Sequence, residues 1–465
     1  LFRIHTQSAK YEPVENERVK VTTQRIKRII RPIVPVGVLD LMTKRRYRQE
    51  ASRAAVPRPA GASLAPSDAA YADRRHPTAV IFYWSHMFGA VEWPARVLCH
   101  ALAALQYDVR MVNVEVQAEI DACAQSGTVF DLAFSIGYLP LAKQSDGRPL
   151  FEAFGNVFYV WGLDSIINDL VLGWGMQVYF DAARRSTRLR FLFPDRDYAA
   201  LVGEVLTPAQ SCYFPFAGFF DGPPRLDFAA PRQPRLAVLG TIGSELAKVG
   251  EGSIADVVAA ETAAGLSPPQ QARFAEALHA VGGKANVTTL ARDVLDLAPD
   301  RLLTARYLPL LTKVDAYEKR RRRLLVVGSL RGSPVDFFGL GWDRFLGDCS
   351  SFRFFGSIPF AAIGPMFRDY AGVVTFDPNW DHGLHDRVFT ALGNGCRVLT
   401  NASTALPTLD RPDDGLFSYE VNQPQVGEAV AGMLAAPPLS NAAIMQFRQR
   451  NSWLVRMDRF LQAMP

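Results

Sequence analysis

Cysteine is scarce. The five in 465 residues, Cys99, Cys123, Cys212, Cys349 and Cys396, stand far apart, with no Cys-x-x-Cys pair and no histidine at metal-ligand spacing. That excludes a disulfide frame and a cysteine-based zinc site, and points to reduced core thiols in a cytoplasmic protein. Long apolar runs are missing too: none approaches the ~20 residues that span a bilayer, and no charged-apolar-small leader opens the sequence. The expectation is a body on the cytoplasmic side. A charge excess is also missing from that body. The total of 51 Lys and Arg against 46 Asp and Glu gives +5, but residues 1–50 hold 12 basic and 5 acidic side chains, and residues 51–465 hold 39 and 41. Affinity for a phosphate backbone is built from many basic contacts, so a near-neutral body argues against nucleic acid as a partner. What is present is a chain 49% apolar and 11% aromatic, the composition of a folded protein with room for two or three domains.

The basic excess lies in an N-terminal arm, residues 1–52. Within 22–48, Ile26, Ile29, Ile30 and Ile33 recur at helical spacing with Lys27, Arg28 and Arg31 between them, and Pro32 and Pro35 break the pattern into two short amphipathic pieces. Such an arm suits an anionic membrane surface, and equally suits docking on the protein's own body or a partner. Residues 53–75, rich in Ala, Pro, Gly and Ser and without apolar period, read as a flexible linker.

From residue 76 to 234, apolar runs at 78–85, 107–114, 130–138, 156–164, 188–195 and 211–216 read as strands, with a helix over 92–105 that has Pro94 in its first turn. A second unit, 235–440, opens with a strand at 235–240, continues through helices over 253–322, and has strands at 324–330, 351–358, 371–376 and 396–401. A C-terminal helix is expected within 441–465. Alternating strands and helices predict an α/β protein of two doubly wound, Rossmann-like domains facing a cleft, with ligands at the carboxyl ends of the strands.

Residues 371–401, AGVVTFDPNWDHGLHDRVFTALGNGCRVLTN, are the most informative. A strand ends at Phe376, a loop follows, and a helix is expected over 384–393, so its unpaired N–H groups would meet an anion at the strand end. Arg387 and His385 would add donors, and Gly383 would let the backbone approach closely. Singly, Arg387 fits a surface ion pair with Asp386 or Asp381, and His385 fits a helix cap. Together they fit a diphosphate grip. The sequence is read as having no Asp-x-Asp pair, and Asp377 and Asp381 as too isolated for a magnesium cage, so no metal or other cofactor is expected.

The run Gly383, His385, Arg387, Val388, Phe389, Ala391, Leu392 and Gly395, followed by the apolar Val398-Leu399, resembles the C-terminal sugar-nucleotide motif of bacterial CgeB-like glycosyltransferases, part of the wider group-1 set. Upstream, EWPARVLCHALAAL, YVWGLDSI and LFPDRDYAALV are similar to their N-domain elements, and the resemblance runs over residues 78–435. It implies the GT-B fold, with the nucleotide diphosphate-sugar on the C-terminal domain and the acceptor on the other. The donor-binding candidates are Gly383, His385, Asp386, Arg387 and Thr390 in that run, and the glycine-rich turns 240–244 and 328–332, which follow predicted strands, add Gly240, Ser244 and Gly328. Many retaining members carry two glutamates eight positions apart; Thr390 and His382 stand at those positions here.

The implied reaction is sugar transfer to a surface glycan, a lipid-linked acceptor or a protein, at the inner face of the membrane. It needs a group to stabilise the departing diphosphate and, for inversion, a base. Asp164 and then His86 are the base candidates, since Asp164 ends one predicted strand and His86 follows another; Glu92 reads as a first-turn charge on its helix. A nucleotide-sugar epimerase on the same frame, or a non-catalytic sugar-nucleotide-binding module, are the alternatives. Each Lys or Arg near an anionic surface contributes on the order of 1 kcal/mol. Deleting residues 1–52 is therefore expected to abolish sedimentation with anionic liposomes at low salt, and unchanged sedimentation would return the arm to the protein's own surface.

Overall fold

A computed structural model describes residues 76–85, 91–137, 143–154, 156–163, 166, 177–219, 232–240, 242, 253–281, 286–346, 349–376, 380, 382–409, 415–420 and 426–463. The arm, the linker, His86, Asp164 and Ser244 lie outside them. The fold is α/β, with two six-stranded, wholly parallel sheets. The first comprises β1 (Thr78–Tyr83), β2 (Asp108–Asn113), β3 (Leu132–Ile136), β4 (Val157–Trp161), β5 (Leu189–Phe193) and β6 (Ser211–Tyr213), in the order β2-β1-β3-β4-β5-β6. The second comprises β7 (Gln233–Leu239), β8 (Val335–Phe338), β9 (Phe352–Phe354), β10 (Tyr370–Val374), β11 (Arg397–Asn401) and β12 (Leu416–Tyr419), in the order β12-β11-β10-β7-β8-β9. Central strands such as β3 and β11 are buried along their whole length. Parallel strands covered on both faces require this, and it explains why they read as unbroken apolar runs rather than alternating ones.

The helices that matter below are α1 (Glu92–Ala104), α2 (Arg196–Val205), α3 (Ile254–Ala259), α4 (Pro268–Ala280), α5 (Val287–Leu295), α6 (Leu308–Ser329), α7 (Asp386–Gly393), α8 (Asn441–Asn451) and α9 (Trp453–Ala463). The expected helical segment is present as α3 to α6. Although it sits in the chain between β7 and β8, it reaches the first domain, where Arg292 of α5 pairs with Glu204 of α2 at 3.0 Å.

Two expectations fail and a third shifts by two residues at its start. Residues 324–330 are not a strand but the end of α6, in which Val326 and Val327 are buried while Leu325 is exposed. A short apolar run fits a buried helix as well as a strand, and here the helix wins. The strand is β8, disguised by Asp336 in its middle. That carboxylate is fully buried, but it accepts from Arg235 Nε at 2.7 Å and the Tyr370 hydroxyl at 2.8 Å and pairs with Arg353, which ties β7, β8, β9 and β10 together at their starts. The helix expected over 384–393 begins only at Asp386. The single helix expected at the C-terminus is two, broken at Ser452. There α8, packed on α7, gives way to α9, packed on α1, as the chain crosses back to the first domain. Among the described residues no helix is long and apolar enough to cross a membrane.

Candidate functional site

In a doubly wound sheet the ligand crevice opens at the carboxyl ends of the strands, where the winding reverses. In the second sheet that point lies between β7 and β10. Two residues chosen from the sequence meet there. Gly240, the first residue after β7, has φ +148°, a conformation that L side chains rarely adopt. Its N–H donates to the Phe338 carbonyl at 3.0 Å, and its own carbonyl accepts from the Trp342 indole at 2.7 Å. Arg387, in the first turn of α7, extends back over the same strand end and donates from Nη1 to the Leu239 carbonyl at 3.1 Å. A Cβ on Gly240 would stand 4.0 Å from that nitrogen. The guanidinium is thus fixed at the switch point beside a turn without a side chain.

The start of α7 differs from expectation. Two of its first N–H groups are occupied within the loop: His385 is the N-cap, with Nδ1 accepting from the Arg387 N–H at 3.3 Å, and the His385 carbonyl accepts from Val388 N–H at 3.0 Å. The ring is held between Phe216 and Trp380, with centroids 6.2 and 5.6 Å away. His385 Nδ1 also touches the carboxylate of Asp386. Burial works to raise the Asp386 pKa, but His385 and Arg387 hold it below the usual carboxylate range. A carboxylate kept ionised in the first turn of α7 complements the helix dipole from within. The start of the helix is therefore occupied from within, and the full positive charge at this strand end is that of Arg387.

The remaining sequence candidates separate. Gly328 lies in the last turn of α6, which leads into the amino end of β8, the opposite end of the sheet from Arg387. Thr390 is buried, and its hydroxyl donates to the Asp386 carbonyl at 2.9 Å and accepts from the Phe219 N–H at 3.2 Å. Thr390 thus holds the chain leaving the first domain. Gly383 also serves the junction: a Cβ on it would lie 2.4 Å from the Pro194 carbonyl oxygen.

No protein-family model matches the chain, and no curated protein matches it in sequence. Several solved structures are similar to it. They include AviGT4, a glycosyltransferase involved in avilamycin A biosynthesis (12% identity over 84% of this chain and 97% of that one, TM-score 0.42). Another is Anabaena HepE in complex with UDP-glucose (9%, 84% and 99%, TM-score 0.44). A third is an alpha-glucosyltransferase in complex with UDP and a 13-mer DNA (8%, 84% and 100%, TM-score 0.47).

One residue of the junction escaped the sequence reading. Asp195 and Asp197 form an Asp-x-Asp pair after β5, which corrects the reading that the sequence has none. The Asp195 side chain accepts from the Asp197 and Tyr198 N–H groups and caps α2. The signal for the cap was an Asp placed between an apolar run and a helix; nothing local signals the domain it also reaches.

The Thr390 hydroxyl gives a direct check. Thr390→Val would leave the Phe219 N–H buried without its acceptor, so unfolding free energy should fall by about 1–3 kcal/mol in chemical denaturation. Nucleoside diphosphate affinity should stay unchanged; a loss of affinity at unchanged stability would return Thr390 to the donor site.

Proposed function

We propose that this chain is a glycosyltransferase that moves a sugar from a nucleotide diphosphate-sugar to a hydroxyl of a bacterial surface glycan, a lipid-linked acceptor or a protein, without a metal ion. The observation that carries the reading is the place of Arg387, fixed against Leu239 and Gly240 at the switch point of the second sheet. The resemblance of residues 383–399 to the sugar-nucleotide motif supports it, because Arg387 is the arginine of that motif. The donor then lies on the second domain, with its diphosphate against the guanidinium.

In the reaction an acceptor oxygen bonds to the anomeric carbon while the bond from that carbon to the β-phosphate oxygen breaks. The electron pair stays with the nucleoside diphosphate, and the acceptor's proton passes to a base. A planar guanidinium offers a diphosphate paired N–H bonds and a full positive charge, which stabilise the leaving group as its charge develops. Arg387 does this in a fixed position, because its bond to the Leu239 carbonyl holds the fork before the donor arrives. The base would come from the first domain, with Asp164 the first candidate and His86 the second. The arm at residues 1–52 would keep the enzyme at the inner face of the membrane, where lipid-linked acceptors are held.

A panel of nucleotide sugars, incubated with and without glycan acceptors, tests this. Arg387→Ala should lower release of nucleoside diphosphate by about 100-fold, the scale seen when one charge-stabilising donor is removed, and thermal unfolding should show that the variant is folded. Release unchanged by the substitution would overturn the site, and an isomerised but intact donor would replace transfer with epimerisation.

A further inference from the structure

The loop that brings α7 to the switch point is attached to the first domain as well as to its own. Asp195, fully buried at the start of α2, divides its carboxylate between the two domains. Oδ1 accepts from the N–H groups of Asp197 at 2.9 Å and Tyr198 at 3.3 Å, and Oδ2 accepts from the His382 N–H at 2.9 Å. Asp195 and Gly383 also pair as an isolated antiparallel bridge. The approach is so close that a Cβ on Gly383 would fall 2.4 Å from the Pro194 carbonyl oxygen and 3.2 Å from the Asp195 Cα. On the other side, the Ser403 hydroxyl donates to the Gly383 carbonyl at 2.9 Å. The His382 ring contacts the Thr404 hydroxyl through Nδ1 and the Asp197 carboxylate through Nε2, the latter at 3.5 Å. His385, which caps α7, and Arg387 follow directly.

We propose that Asp195 is a positioning residue that fastens residues 382–385 of the second domain to the first and so fixes Arg387 for the donor's diphosphate. This rests on the reading of Arg387 given above. Asp195 reaches the diphosphate only through the loop: it holds an amide of the second domain while its other oxygen holds the first turn of a helix in the first domain. Separation of the domains breaks the His382 bond and leaves the helix cap in place.

The electrostatics give the contact a pH dependence. Burial pushes the Asp195 pKa up to about 7; Asp197 on α2 adds to the rise, and the three amide bonds, from His382, Asp197 and Tyr198, oppose it. Tyr213 on β6 also faces it, with Arg196 and Arg456 around Tyr213, while the His382 ring on the loop lies against Asp197. An exposed aspartate titrates near ~3.9, so the closed contact binds the proton more tightly than a separated one. Closure is favoured in full below that value and loses this support as pH rises through about 7.

Asp195→Ser tests the assignment, since a serine still caps α2 but is too short to reach the His382 amide. Gly383→Ala tests it from the other side, leaving Asp195 intact. In amide hydrogen exchange on the full chain at pH 6, without ligand, both variants should lower the protection factors of residues 382–390 about tenfold, with residues 196–205 unchanged. In the wild type that protection should decline as pH passes 7, and in Asp195→Ser it should not. Titration with UDP, GDP, ADP and dTDP should show about tenfold weaker binding in both variants. Wild-type protection and affinity in the two variants, while Arg387→Ala weakens binding, would overturn the role of Asp195 alone. Reduced protection in both variants with binding unaffected by Arg387→Ala would instead overturn the diphosphate site and keep the attachment of the loop. Should Asp195→Ser fail to fold, Gly383→Ala decides the matter.

Discussion

The approach of Gly383 to Pro194 is the contact on which the rest of the site depends. A glycine is needed there because no Cβ fits against the Pro194 carbonyl, and the bridge it forms with Asp195 sets the loop that ends in the cap of α7. The position of the cap fixes the first turn of the helix, and the first turn carries Arg387 to the end of β7. Thr390, one turn further on, returns to the first domain through the Phe219 amide. Helix α7 therefore belongs to the second sheet by sequence order and to both domains by its bonds.

That double attachment changes the electrostatic picture of the site. A helix start with open N–H groups would hold an anion through its dipole. Here His385 and Asp386 satisfy the start of α7 from within, and the ionised Asp386 makes the bare helix end a poor neighbour for a diphosphate. On the proposed reading, the positive charge for the diphosphate comes instead from one side chain whose reach is set by a main-chain carbonyl. Fixing a guanidinium in this way removes conformational freedom before a ligand binds, which would suit charge that develops during the proposed transfer. The crossing of the chain at Ser452 adds to the same stitching, because α8 packs on α7 and α9 packs on α1 of the first domain.

Much of the fold was legible because buried parallel strands leave a plain mark. The runs at 78–85, 130–138 and 188–195 are apolar on both faces and contain β1, β3 and β5. The reading failed where burial and composition part company. Asp336 sits fully buried in β8 because two arginines and a tyrosine satisfy it, and those partners come from three other strands that no local pattern links. The run at 324–330 misled for the converse reason: its valines are buried on a helix. In the site, Arg387 and Gly240 were found by motif and by turn, and the structure brings them together. The roles of Gly383, Thr390 and Asp195 at the junction were not legible, because each faces a residue far away in the chain. A glycine needed for a close approach and a glycine needed for a turn look alike in sequence.

The most direct measurement is a crystal structure of the full chain with a bound nucleoside diphosphate. It should show the β-phosphate within hydrogen-bond distance of the Arg387 guanidinium, beside the turn at Gly240, with Gly383 still seated on Pro194. A diphosphate held elsewhere, with Arg387 still turned to Leu239 and away from it, would contradict the proposed site.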